Sequence, residues 1–169
     1  DSISSLLMIA PVLPNGLKID VMPPFYSKPY VMMTLNLMKK FGIKYDLSED
    51  SISINNQEYK SGSYKVESDW SAASYWYSFI SINKKLKEIK LKGLREKSFQ
   101  GDQVIKKIMT LFNVETLYDK DGIILRKKDF DCDYLELDFK DCPDLAQTVL
   151  VVAAFHKVKL KLYGVESLK

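Results

Sequence analysis

Four short segments hold residue types suited to binding anions and moving protons. In Ser27-Lys28-Pro29-Tyr30 a hydroxyl and a cation stand just ahead of a helical pattern over 30–41. Proline has no N–H to lose, so Pro29 suits a first helical position, and it biases Lys28 towards an extended conformation. The Ser27 hydroxyl, the free N–H groups of the first turn and the positive end of the helix dipole then point one way. That arrangement suits a phosphate or carboxylate, although the same serine also fits a plain N-cap. The device returns at Glu67-Ser68-Asp69-Trp70-Ser71-Ala72, at Gln100-Gly101-Asp102 and at Cys142-Pro143-Asp144, where proline is again expected at the first helical position.

The elements that must position these segments follow from periodicity. Strands are expected over 17–21, 44–47, 51–54, 64–66, 86–91, 114–118, 123–125, 134–139 and 158–163. Helices are expected over 30–41, with Gly42 as terminator, and over 71–82, 102–112 and 145–156. A strand-helix-strand-helix-strand-strand unit is thus complete once, flanked by partial copies, and such repetition is a fold signature. Lys157-Val158-Lys159-Leu160-Lys161-Leu162 alternates strictly, so one face of its sheet meets water. Helical stretches such as 148–155, and 72–82 with Tyr75, Trp76, Tyr77 and Phe79, are apolar all round, and burial is expected for them.

Composition narrows the classes of function. An apolar fraction of 46% supplies a core, and a net charge of +3 is too small to argue for nucleic acid. Lysines spread along strands read as a solvated face. Cys132 and Cys142 form neither a metal motif nor a disulfide framework, which makes a reduced, cytoplasmic setting the default. The run 149–155 is far short of the ~18 residues a membrane span needs. His156 ends an apolar helix, where a structural role is expected.

Taken in order, Leu6-Leu7-Met8 with Ala10-Pro11, Ser27-Lys28-Pro29-Tyr30, Ser68-Asp69-Trp70-Ser71-Ala72-Ala73-Ser74-Tyr75, Ser98 with Gln100-Gly101-Asp102, and Pro143-Asp144 resemble the EPSP synthase family. The resemblance runs through nearly the whole chain. It implies an α/β (α+β) fold of the inside-out barrel type, with repeated β-α-β-α-β-β units, buried parallel helices and outer sheets. Two globules of three such units would bind substrate between them, residues 1–66 being the end of one globule and 67–169 the start of the other. The implied reaction moves the enolpyruvyl group of phosphoenolpyruvate to the 5-hydroxyl of shikimate 3-phosphate and releases phosphate. No metal or organic cofactor is implied. The implied partners are these two small molecules, with no nucleic acid and no membrane, and the full-length enzyme is expected to be a cytoplasmic monomer.

Residue by residue, the resemblance makes Ser27 a ligand of the shikimate phosphate and places Tyr30 beside the shikimate ring. Asp144 matches the family's catalytic aspartate, contacting ring hydroxyls as the base. Ser167 falls where many members have an asparagine reaching the 3-phosphate. By residue type alone, Tyr30 also fits a core position, Asp144 a helix cap and Ser167 a turn. The family's Ser-Ser-Gln phosphate loop is a departure, with Asp1 at its Gln position. The cations that neutralise two phosphates and a carboxylate fall in segments beyond 1–169, so these residues alone are expected to be an inactive fragment. The alternatives are the related UDP-N-acetylglucosamine enolpyruvyl transferase, which lacks the SKPY helix start, and a non-catalytic anion-binding module of the same fold.

Overall fold

The computed structural model describes residues 2–25, 28–166 and 168. The chain divides into two compact units, Asp1–Lys65 and Val66–Lys169. Each combines helices with small sheets, an α+β architecture.

The first unit contains α1 (Ser2–Ile9), β1 (Leu17–Asp20), α2 (Lys28–Lys40), β2 (Asp46–Leu47) and β3 (Ser51–Ile54). Its sheet is antiparallel in the order β1-β3-β2, with Ile19 opposite Ile52 and Leu17 opposite Ile54. Alternation along β3 turns Ile52 and Ile54 inwards, where they meet Leu7 of α1 and Val31, Leu35 and Met38 of α2. Those three α2 residues share one helical face, because residues three and four apart stack. The helix opens at Lys28, so Pro29 is its second residue and Lys28 is helical rather than extended. It ends as expected at Gly42, whose φ of +86° closes the turn with Ile43 N donating to Met38 O at 3.1 Å. A side chain at 42 would also meet Lys60 carbons at 2.7 Å.

The second unit runs α3 (Trp70–Ile82), β4 (Glu88–Lys92), a 3-10 turn (Gly101–Val104), α4 (Ile105–Thr110), β5 (Val114–Asp119), β6 (Gly122–Lys127), β7 (Tyr134–Asp138), α5 (Leu145–His156) and β8 (Lys159–Tyr163). Strands β4, β6 and β5 pair antiparallel in that order, while β7 and β8 pair parallel. A parallel pair needs a crossover, and α5 provides it. The strand expected over 64–66 does not form: residues 55–69 have no regular structure. The first strand of the expected six-element unit is therefore missing among the described residues.

Helices α3 and α5 pack side by side. Ser74 Oγ and Thr148 Oγ1 lie 3.2 Å apart, and two turns further along each helix Ser81 Oγ lies 3.0 Å from His156 Nε2. Contacts that advance together along both helices make the pair parallel and bring their N-termini to one level. Ser81 also donates to Asn113 Oδ1, so His156 Nε2 is the donor in its contact with Ser81. His156 thus has the structural role its place suggested.

Inner faces of both helices supply the core, with Trp70, Tyr77 and Ile80 from α3 and Val149 and Val152 from α5. The expectation that these helices are buried all round is corrected. Tyr75, Trp76 and Phe79 are 69%, 50% and 44% exposed, and Leu150, Val151 and Phe155 on α5 are exposed as well. On α3 the inward positions between the large residues are serines, Ser74, Ser78 and Ser81. Apolar composition therefore does not mark which face is inside.

Candidate active site

The N-terminus of α3 is built by three separate segments. Asp69 is its N-cap, with Oδ1 accepting from Ser71 N at 2.8 Å and Ala72 N at 3.3 Å. Ala73 N donates to Asp69 O, the first turn of the helix proper. Trp70 N is satisfied from thirty residues away, donating to Gln100 Oε1 at 2.8 Å, while Gln100 Nε2 donates to Ser68 O. The orphan donors of a helix start are therefore all taken at α3.

Neighbouring strands hold this start in place. Ser68 N donates to Gly93 O and Ser68 Oγ to Lys92 O, both at 2.9 Å, which ties the start to the end of β4. Gly93 has φ +83°, and a Cβ there would lie 2.3 Å from Ser68 Oγ, so only glycine fits this close approach. Ser98 Oγ donates to Glu67 Oε1 and accepts from Gln100 N, which fixes the loop carrying Gln100.

Asp102 follows Gln100 in the 3-10 turn and is 4% exposed. Its Oδ2 accepts a hydrogen bond from Ser71 Oγ at 2.5 Å. Burial holds its carboxyl above the usual carboxylate range. The Ser71 bond pulls it back down, and the charges of Asp144 and Asp69 push it further up. The expected helix over 102–112 is shorter than anticipated, because this turn precedes α4.

Asp144 stands at the start of α5, exposed, with helical φ and ψ of −62° and −26°. Its side chain makes no capping hydrogen bond to α5. Leu145 N and Ala146 N instead donate to Cys142 O and Pro143 O, so the chain turns into the helix from Cys142 onwards. Pro143 is thus two residues ahead of the helix rather than its first residue. Cys142 beneath is buried, its thiol pushed up to about 12 by burial and by the charges of Asp102, Asp141 and Asp138. A thiol held so high is inert as a nucleophile near neutrality.

Of the residues singled out from sequence, Asp144 lies at the shared mouth of α3 and α5. Tyr30 lies in the first turn of α2, half-buried, with its carbonyl accepting from Thr34 Oγ1 at 3.1 Å. Ser27 and Ser167 lie outside the described residues. The recurring anion-binding device is corrected at α3. Its backbone donors are used up, and the groups added around it are carboxylates, which accept protons and hydroxyl hydrogens rather than bind anions. Sequence reasoning noted Gln100-Gly101-Asp102 as a helix opener. It missed that both polar side chains reach back to α3, a contact no local pattern announces.

Comparison with known proteins adds an independent line. Residues 1–169 match the family of EPSP synthase (3-phosphoshikimate 1-carboxyvinyltransferase). A 3-phosphoshikimate 1-carboxyvinyltransferase of Bacteroides fragilis is 42% identical over 168 residues, covering 99% of this chain and 41% of that protein. Its counterpart from Methanocaldococcus jannaschii is 33% identical over 169 residues, covering 99% and 38%. Among solved structures, an EPSP synthase from Acinetobacter baumannii covers 99% of this chain and 42% of its own, with TM-score 0.40 and 13% identity. The chain spans about 40% of the length of the curated relatives it matches.

Proposed function

The chain belongs to the EPSP synthase family, and we propose that its full-length protein transfers enolpyruvyl from phosphoenolpyruvate to the 5-hydroxyl of shikimate 3-phosphate. The hydroxyl oxygen bonds to C2 of the enolpyruvyl group while C3 takes a proton, giving a tetrahedral intermediate. Loss of phosphate from C2 and of a proton from the new methyl group restores the double bond. Asp144 accepts the hydroxyl proton. The observation that supports this role is that its carboxylate is exposed at the start of α5, level with the start of the parallel helix α3.

Ser27, with the adjacent Lys28 and the start of α2, is the proposed ligand of the shikimate phosphate, Tyr30 packs beside the ring, and Ser167 reaches the 3-phosphate. Residues 1–66 would close one globule and 67–169 begin the other, each an inside-out barrel with its helices inside. The uncovered apolar faces of α3 and α5 support that fold, since further helical units would bury them. Full-length protein of this kind would work as a monomer in the cytoplasm, on two small-molecule substrates.

The test is Asp144→Asn in full-length protein. A lost acid–base group lowers kcat by about 10²–10⁴, whereas a lost helix-end charge changes stability by about 0.3–1 kcal/mol and leaves turnover alone. Wild-type kcat in a folded Asp144→Asn enzyme would remove Asp144 from the mechanism.

A further inference from the structure

We propose that the second unit carries an anion site at the end remote from Asp144, where Lys87, Lys127 and Lys128 take a phosphoryl group. A cavity of about 500 Å³ is lined there by these three lysines and Asp129. It lies by the far ends of α3 and α5. Lys127 Nζ donates to the carbonyl of Asn83, the residue that caps α3, and the charge of Lys127 reaches His156, the last residue of α5. Helix α5 has 12 residues, which puts its two ends ~18 Å apart. The site is therefore separate from the helix starts, and it does not depend on the enzymatic reading.

Strand register brings two of the cations face to face. Lys127 N donates to Lys87 O at 2.8 Å, which extends by one step the pairing of Glu88 with Arg126 and Ile89 with Leu125. Glu88, Lys90 and Lys92 form the exposed row of β4. Alternation places Lys87 in the other row, with Ile89 and Leu91, and Lys127 with Ile123 and Leu125, the residues that pack on the core. Like charges directly opposite each other weaken a sheet. Burial, and after it the charge of Lys87, holds the Lys127 ammonium below its ordinary range, as desolvation and a neighbouring cation must. Among the described residues neither lysine has an acidic partner.

Other uses account for only part of this charge. Lys127 answers the negative end of α3 through the Asn83 carbonyl, but an ammonium has three donors and this contact takes one. Lys128 Nζ meets Glu115 Oε1 at 2.8 Å on the surface, and an exposed pair of that kind gives way to a ligand at little cost. Lys87 has neither a helix end nor an acid to serve. Against three ammonium groups the lining sets one carboxylate, Asp129. A phosphate dianion balances that excess. Its oxygens would stand between the two opposed lysines and replace their repulsion with charge-assisted hydrogen bonds.

The test is a titration of the 169-residue chain with inorganic phosphate, followed by amide NMR at about 0.1 M salt, where charges more than ~10 Å apart are screened. The amides of Asn83, Lys87, Lys127, Lys128 and Asp129 should shift together and saturate. Lys87→Gln should weaken binding about tenfold, the loss of one charge-assisted bond. Lys92→Gln removes the same charge ~16 Å along β4 and should leave the affinity within about twofold. Because Lys87→Gln relieves a repulsion, its urea midpoint without phosphate should match or exceed that of wild type. Added phosphate should then raise the wild-type midpoint more than that of the variant. Glycerol 3-phosphate distinguishes the sources of the group. Binding at least as tight as that of phosphate assigns the site to a phosphorylated small molecule, and weaker binding assigns it to the free ion. Shifts that do not saturate, shifts centred elsewhere, or equal weakening in Lys87→Gln and Lys92→Gln would overturn the proposal.

Discussion

Gln100→Ala isolates the contact that completes the start of α3. Gln100 Oε1 is the acceptor for Trp70 N at 2.8 Å, and Trp70 is fully buried. Truncation removes the acceptor beside a fully buried side chain and leaves the donor with the desolvation penalty of an unsatisfied group, about 1–3 kcal/mol. The second bond, Gln100 Nε2 to Ser68 O, lies at the surface, where water replaces the amide at little net cost. The expected loss is therefore ~1–3 kcal/mol from one half of one side chain. Gln100→Glu separates the halves: its carboxylate still accepts from Trp70 N, with a favourable dipole contribution of about 0.3–1 kcal/mol, but donates nothing to Ser68. It should stay within about 1 kcal/mol of wild type at neutral pH. Urea unfolding followed by tryptophan fluorescence is the assay, and it reports the second unit alone, because both tryptophans, Trp70 and Trp76, lie there. A Gln100→Ala loss below about 0.5 kcal/mol, or equal losses in the alanine and glutamate variants, would show that the buried amide is not what Gln100 supports.

Two further outcomes follow from α3 and α5. Lys157 ends α5 at φ +60° with Val158 N donating to Ala153 O, a left-handed cap that glycine adopts without strain, so Lys157→Gly should raise the urea midpoint by the equivalent of about 0.5–1 kcal/mol; a lowered midpoint would show that the lysine stem supplies more than the strain removes. Trp76, half-exposed here, should emit at shorter wavelength and resist acrylamide quenching in full-length protein if further units cover the α3–α5 face, and unchanged quenching would refute that covering.

Local physics made most of the elements legible and their partners illegible. Strict alternation over 157–162 located β8, and Gly42 marked the end of α2, since both depend on neighbours in sequence. The 64–66 segment has the same strand-like composition, yet no neighbouring strand pairs with it, and an isolated strand has no ladder to form. Tyr75, Trp76 and Phe79 illustrate a different limit. Hydrophobicity records that a face prefers burial, whereas what covers it depends on chain segments elsewhere. At the site, Asp144 stood out through its proline. Asp102 looked like one more helix-opening acid, because its partner Ser71 is thirty-one positions away.

The accounting at α3 also constrains what kind of group the start of that helix can receive. A helix start binds phosphate through free N–H groups, and Trp70, Ser71, Ala72 and Ala73 have none left to offer. What this end of the second unit presents is Asp69, Asp144 and, behind them, Asp102, a negative field that repels a phosphate dianion. The same field favours a neutral hydroxyl, which can donate to a carboxylate and then surrender its proton to it.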